Sequence, residues 1–199
     1  MKIIIVGATG TIGKKVTAEL SKRHEIIKAA SKSGDVKVDI TSSQSIREMY
    51  KHIGKADAVI CTTGNGYFGP FDTMTEEDFY IGIRSKMMGQ INLVMIGKEY
   101  INDNGSFTLT SGILYKDPVR GGVGLSVVNG ALHSFVIGAA IELKRGVRLN
   151  VVSPGLVEDS ADALGSAFPG HIPATMVNVV TGYLKSVEGF GTGQVIDVL

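Results

Sequence analysis

A single cysteine, Cys61, leaves this 199-residue chain without an internal disulfide or a multi-thiolate metal site. Its four histidines, His24, His52, His133 and His171, are not paired at metal-ligand spacing, and no HExxH segment or compact Asp/Glu cluster occurs. Metal chemistry is therefore not expected. Excess charge is missing too: 20 basic residues against 19 acidic ones give a net charge of +1, which offers no electrostatic footprint for nucleic acid or an anionic membrane. Apolar runs are short and broken by glycine or charge, so neither a membrane span nor a signal peptide is expected, and the chain reads as cytoplasmic. No internal repeat, linker or low-complexity tail is seen. What remains is a 44% hydrophobic sequence of a length that buries one substantial core, hence one domain over residues 1–199.

The 26 glycines are where the sequence becomes specific. MKIIIVGATGTIG opens the chain with an apolar strand, Lys2 to Val6, of the kind covered on both faces. Gly7, Gly10 and Gly13 follow at a spacing of three. Gly7 lets the chain turn off the strand, Gly10 leaves room where a side chain would meet a bound pyrophosphate, and Gly13 permits close packing of helix on strand. Lys14 to Arg23 is expected to be helical, which aims unpaired N–H groups at a phosphate. Thr9, Thr11 and Ile12 complete this candidate cofactor loop. Its spacing is GxxGxxG, and it lacks the GKS or GKT ending of a nucleoside-triphosphate loop. The plain alternative is a tight βα turn that binds nothing.

Further along, Glu25 to Ala30 reads as a second strand. An acidic residue at its end would accept hydrogen bonds from both ribose hydroxyls of NAD. Ser31, Lys32 and Ser33 stand there instead, two hydroxyls and a cation suited to a 2'-phosphate, so NADP(H) is preferred and NAD(H) is the alternative. Asp35 is close enough to argue the other way, and an ordinary polar turn is the simpler reading. Val36, Val38 and Ile40 alternate as a short strand, with Asp39 where an adenine edge would pass. Thr41 to Ser43 supply caps for a helix whose apolar face is Ile46, Met49, Tyr50 and Ile53. Ala56 to Cys61 is the fourth strand, and Thr62, Thr63 and Gly64 follow it as candidate contacts to the cofactor ribose. In the glycine-rich loop after them, Tyr67, Phe68 and Phe71 either line a substrate site or anchor the loop.

One long helix is expected from Thr75 to about Tyr100, interrupted by the polar Arg84, Lys86 and Gln90. Gly105 to Thr110 reads as the fifth strand, with Ser111 and Gly112 at its carboxyl end, the side where ligands bind in an open α/β sheet. Ser126 to Leu143 reads as a buried helix and Val147 to Val152 as the sixth strand. Ser153, Pro154 and Gly155 end that strand where a nicotinamide would be braced. Leu156 to Gly170 reads as a candidate lid, Pro173 as the start of a helix through Leu184, and Gly193 to Val198 as a last strand.

Taken together, GATGTIG at Gly7 to Gly13, Asp39, CTTG at Cys61 to Gly64, GVRLNVVSPG at Gly146 to Gly155 and GTGQVIDV at Gly191 to Val198 resemble the short-chain dehydrogenase/reductase family. The resemblance implies a single Rossmann domain with a doubly wound parallel sheet flanked by helices. It also implies NAD(P) binding, oxidoreductase activity on a small molecule, and a homodimer or homotetramer built on the long helices. The family's active site has a serine after the fifth strand, a YxxxK pair and an asparagine on the preceding long helix. Tyrosine exchanges a proton with the substrate oxygen, lysine holds the ribose, serine positions the oxygen, and asparagine supports a relay water.

This chain departs from that pattern. Gly112 falls at the serine position with Ser111 one residue before it, Leu125 at the tyrosine, Asn129 at the lysine, and Lys86 at the asparagine. Leucine neither donates nor accepts a proton. A compensating set is Lys86 as cation, Asn129 as neutral hydrogen-bonding group and Tyr115 as proton donor, with Ser111 beside them. His133, four residues after Asn129, shares its helix face and is either an acid or base in the cleft or a helix or interface residue. Loss of turnover with retained dinucleotide binding, in a sensor or structural protein, is the competing reading.

Overall fold

Alternate side chains of the first strand enter two different cores, and this decides the layering. In β1 (Lys2–Val6), Ile4 and Val6 join one buried cluster while Ile3 and Ile5 join another, because successive strand residues point to opposite faces. The computed structural model describes every residue, Met1–Leu199. Six further strands, β2 (Glu25–Ala30), β3 (Val36–Lys37), β4 (Ala56–Cys61), β5 (Ile101–Thr110), β6 (Arg148–Pro154) and β7 (Val195–Val198), complete one sheet. Its order is β3-β2-β1-β4-β5-β6-β7, and every pairing is parallel.

Helices cover both faces. The helices α1 (Thr11–Leu20) and α7 (Met176–Glu188) contribute Val16, Leu20, Val179, Tyr183 and Val187 to one core. On the other face α2 (Ser43–Ile53), α4 (Met88–Gly97) and α5 (Val123–Ala140) contribute Ile46, Met49, Leu93, Leu132 and Val136. This is the doubly wound Rossmann arrangement that the sequence resemblance implies. The chain leaves β1 toward β2 on one side and returns through β4 on the other, so the order reverses between β1 and β4. A crevice opens beyond the carboxyl ends of strands at such a reversal.

Several boundaries differ from expectation. Helix α1 begins at Thr11 and not at Lys14, directly after Gly10, which caps it without a side-chain hydrogen bond. The third strand is only two residues long. Asp39 ends it by drawing the chain into a turn, with its Oδ1 accepting from the Thr41 backbone N–H at 2.9 Å and from Thr41 Oγ1 at 2.7 Å. Val38 and Ile40 stay buried without being in the strand. The last helix starts at Met176 and not Pro173, because the Thr175 hydroxyl caps the Asn178 N–H.

The expected long helix after Thr75 is instead α3 (Glu76–Gly82), a π-helical turn (Ile83–Met87) and α4. Thr75 and Asp78 form a capping box at its start. A π turn carries one extra residue per turn and so rotates the side chains that follow it, a feature that concentrates at functional sites. Lys86 lies within it. Between β6 and α7 the segment is mostly single turns, including the short helix α6 (Ala161–Leu164).

Helix α5 is apolar and long enough to cross a membrane by length and composition alone. Here it is a covering helix, with Val128, Leu132, Val136 and Ala140 buried. Glycines test the packing. A Cβ on Gly13 would collide with the Gly7 carbonyl oxygen and crowd Thr62 Oγ1, whereas one on Gly138 would meet nothing within 4 Å. Urea unfolding is therefore expected to show Gly13→Ala losing about 2 kcal/mol or more, and Gly138→Ala gaining about 0.5–1 kcal/mol from helix propensity.

Candidate functional site

The crevice at the strand reversal is built by backbone geometry before any side chain matters. Gly7 adopts φ +86°, in the left-handed region that a Cβ disfavours. Its carbonyl receives the Gly10 N–H at 3.0 Å, closing the turn. Thr62 Oγ1, from the end of β4, donates to the Val6 and Gly7 carbonyls at 3.2 and 3.1 Å and ties the two strand ends together. A Cβ on Gly10 would meet only the Gly7 carbonyl oxygen, at 3.4 Å, so the space above Gly10 is open. Helix α1 begins directly after Gly10, and no side chain caps its first N–H groups.

A cavity of about 260 Å³ occupies this crevice, walled by Gly7, Thr9 and Gly10 from the turn, Ser31 from the end of β2, Asp39 and Thr41 beyond β3, and Thr62 and Thr63 beyond β4. Of the cofactor residues expected from sequence, Thr11, Gly13, Lys32, Ser33 and Gly64 are not in its wall, nor are Ile12, Pro154 and Gly155, which line a second cavity. Lys32 and Ser33 are exposed at its edge beside Ser31, in a turn that Asp35 holds by accepting the Lys28 N–H at 2.8 Å. Gly64 has another function. A Cβ there would strike the Lys86 stem at 2.8–3.0 Å, so Gly64 lets the chain after β4 lie against the π turn. The neighbouring Asn65 N–H donates to Ser85 Oγ at 3.0 Å and fixes that contact.

Ser85 lines the first cavity, and Lys86, the next residue, lines a second one of about 200 Å³. Its polar side chains are Lys86, Ser111, Asn129 and Ser160. Ile12, Leu125, Leu156, Leu164 and Phe168 supply apolar wall, and Pro154 and Gly155 border it from the end of β6. Lys86 Nζ donates to the Ser111 carbonyl at 2.9 Å. Burial of the ammonium end, with no carboxylate beside it, lowers its pKa from 10.5 to about 8. Asn129 is buried with Oδ1 lacking a partner, and its amide nitrogen lies against Gly112. Gly112 thus makes room for Asn129, while Ser111 carries the hydroxyl.

Ser111 Oγ lies 2.6 Å from His133 Nε2, and both residues are buried. Desolvation lowers the imidazole pKa; Asp197 opposes that shift, and Lys116 and Lys86 add to it. The structure therefore brings Lys86, Ser111 and Asn129 to one cavity and leaves the Tyr115 hydroxyl outside it. Tyr115 packs edge-on against the His133 ring with centroids 4.1 Å apart, and its hydroxyl donates to Asp197 Oδ2 at 3.2 Å. Lys116 also pairs with Asp197.

Two supporting residues were not selected from sequence. The sequence leaves His133 as either an acid or base in the cleft or a helix or interface residue, and its spacing from Asn129 is the signal for the cleft. Gln90 read only as a break in an apolar pattern. It is fully buried and clamps the end of β5, receiving the Thr110 N–H and donating to the Thr110 carbonyl, each at 2.8 Å. That clamp fixes α4 and the π turn against Ser111. Cys61 is buried, its thiol pushed up to about 12 by burial, and takes no part in either cavity.

Comparison with known proteins accords with this geometry. The family model described as enoyl-(acyl carrier protein) reductase matches residues 2–182. A crystal structure of the protein lin1944 from Listeria innocua is 45% identical and superposes with a TM-score of 0.99, covering 100% of both chains. A small-chain dehydrogenase solved in complex with NADPH is 26% identical with a TM-score of 0.88, covering 100% of this chain and 96% of its own. Among curated relatives, the uncharacterized oxidoreductase YmfI of Bacillus subtilis is 28% identical over 98% of this chain and 96% of its own length. A hydroxynaphthalene reductase-like protein, Arp2, of Metarhizium brunneum is 26% identical over 80% of this chain and 70% of its own length. With a family model matched across nearly the whole sheet and both helical layers in place around the glycine turn, the chain belongs to the short-chain dehydrogenase/reductase family.

Proposed function

We propose that this protein is an NADP(H)-dependent oxidoreductase that exchanges hydride with a small carbonyl compound or related unsaturated group. The observation that carries this reading is the open space over Gly10, bounded by the uncapped start of α1 and continued by a cavity that runs to Ser31 and Asp39. A pyrophosphate is the group such a helix end attracts. The residues fit a dinucleotide along their whole length. Gly7, Thr9, Gly10, Thr11 and Ile12 would hold the phosphates, with Gly13 keeping the turn closed. Asp39 would meet the adenine end, and Thr62, Thr63 and Gly64 the ribose. Pro154 and Gly155 would brace the nicotinamide beside the second cavity. When bound, the dinucleotide supplies or removes the hydride.

Preference for the 2'-phosphorylated form rests on Ser31, Lys32 and Ser33, which are exposed at the cavity edge with no acidic residue among them. The NADPH held by the 26%-identical dehydrogenase is consistent with it. Lys32→Glu is expected to weaken NADPH binding about tenfold while moving NADH less than about threefold. Gly10→Ala is expected to fold normally and still lose affinity for both. Fluorescence titration of protein confirmed free of nucleotide measures each. Failure of the wild type to bind either dinucleotide would refute the proposal.

On the substrate side, Lys86, Ser111 and Asn129 line a mostly apolar cavity that also carries Ser160, so the substrate is read as a small, mostly apolar carbonyl compound with its oxygen toward the first three groups. The Lys86 cation stabilises negative charge that develops on that oxygen. A homodimer or homotetramer in the cytoplasm is part of the reading; the exposed Val127 and Ile137 on α5, with Ile141 just after its end, favour association of the long helices. The competing reading, a dinucleotide sensor without turnover, is favoured by one observation: Leu125 lines the cavity at the position the family fills with tyrosine. Single-turnover oxidation of bound NADPH by a panel of aldehydes, ketones and quinones separates them. Turnover of any member supports the enzyme, and binding without turnover supports the sensor.

The Lys86 shift has a sign that can be checked without substrate. The folded protein releases this proton near pH 8 and the unfolded chain near 10.5, so the unfolded state holds more protons between them and stability rises with pH across that window. Below pH 8 the buried cation costs stability in full. Lys86→Met is therefore expected to stabilise the dinucleotide-free protein at pH 7 by on the order of 1 kcal/mol. That gain should fade as pH rises from 8 to 10.5, read by urea unfolding at each pH. A variant with wild-type stability and pH slope would contradict this placement.

A further inference from the structure

We propose that Ser111 and His133 form the proton relay of the second cavity, with the Ser111 hydroxyl exchanging a proton with the substrate oxygen and His133 taking or returning it. This relay rests on the oxidoreductase reading above and goes beyond it by naming the proton path in a site whose tyrosine position holds Leu125.

The geometry is direct. Ser111 lines the cavity, yet its hydroxyl lies 2.6 Å from a histidine nitrogen, a distance at which a proton passes between hydrogen-bonded atoms. His133 is 5% exposed, enclosed by α5 and the segment after β5, so its ring does not exchange this partner for bulk water. Tyr115 packs against the ring at 4.1 Å and fixes its orientation. Lys86 Nζ, held on the Ser111 carbonyl at 2.9 Å, puts a positive charge beside the oxygen that gains negative charge. The groups that face the imidazole are Asp197 from β7, Lys116 and Tyr115 from the loop after β5, and Lys86 from the π turn.

In the alcohol-oxidising direction, the substrate O–H bond breaks and its proton bonds to Ser111 Oγ. The proton already on Ser111 moves to the Nε2 lone pair of neutral His133, which becomes an imidazolium. The electron pair left on the substrate oxygen closes the C=O bond as the carbon gives up hydride to the oxidised nicotinamide dinucleotide. Carbonyl reduction runs the same proton path backward from imidazolium. Oxidation thus requires neutral His133 and reduction the charged form, and burial keeps the ring neutral at neutral pH. Ser111 is the catalytic residue here, and His133 positions and recharges it.

Two measurements test the relay. In dinucleotide-free protein, the His133 ring is followed by NMR through a pH titration. It is expected to titrate below the usual histidine value, with Nε2 as the hydrogen-bond acceptor, and Ser111→Ala is expected to shift both properties while Ser111→Thr restores them. The second measurement uses NADPH and the fastest carbonyl probe of the panel. His133→Gln is expected to reduce kcat by about 100-fold, with NADPH affinity unchanged, and to remove the fall in reduction rate that the wild type shows as pH rises through the His133 pKa. Tyr115→Phe, which keeps the ring against His133, is expected to retain most activity. The proposal is overturned by a His133 titration that ignores Ser111→Ala, by wild-type kcat and pH profile in His133→Gln, or by a Tyr115→Phe loss exceeding that of His133→Gln. Wild-type binding of NADPH with no turnover of any probe overturns the relay and favours the sensor. Absence of binding overturns the oxidoreductase reading itself.

Discussion

The close approach of the Gly13 backbone to the Gly7 carbonyl is the constraint on which the rest of the structure depends. No side chain fits between them, and Thr62 reaches across from β4 to the same carbonyl. This three-way contact sets how steeply α1 leaves the sheet. It therefore sets where the free N–H groups of the helix point and how wide the crevice between β1 and β4 stands open. The apolar cores on either face hold the sheet rigid behind it. A phosphate site made from backbone requires that rigidity, since its donors have no side-chain freedom to adapt.

A second set of contacts transmits the same order to the other cavity. Gly64 and Asn65, leaving the strand that Thr62 ends, lie on the π turn and fix Ser85 and Lys86. Gln90 locks the following helix to Thr110, one residue before Ser111. Thr110 in turn bonds the Cys61 carbonyl and the buried Tyr183 hydroxyl, at 2.5 and 2.6 Å, joining β4, β5 and α7. Buried polar groups of this kind are costly unless every partner is present. Here they are spent on holding the end of β5 in place. Asn129 Oδ1 is one of five buried side-chain atoms left without a partner, and it lies beside the cavity, as expected of a group that meets a ligand.

Lys86 and Asn129 reach the same cavity from the π turn and from α5, and each does so past a glycine. A lysine on the π turn reaches the end of β5 with its stem along Gly64, which only a residue without a side chain permits. An asparagine on α5 fits where Gly112 provides room.

The chain's local grammar made much of this legible in advance. Strand β4 is readable to the residue from its apolar run and the glycine turn from its spacing, whereas Lys86, Ser111 and Asn129 stand out only through the family resemblance. Only its residue type marks Tyr115 as a proton donor, and its hydroxyl lies on Asp197, 82 residues away in sequence. No local pattern encodes such a partner. The π turn is hidden for a related reason: its apolar residues keep a helical rhythm, and its close approach to Gly64 is a contact distant in sequence. Sequence alone determined the order of strands and helices and the backbone freedom each glycine supplies, because those follow from neighbouring residues. Tertiary structure alone decided that Ser111 faces His133 and that Tyr115 does not enter the cavity, because these choices depend on how α5, β5 and β7 meet in space.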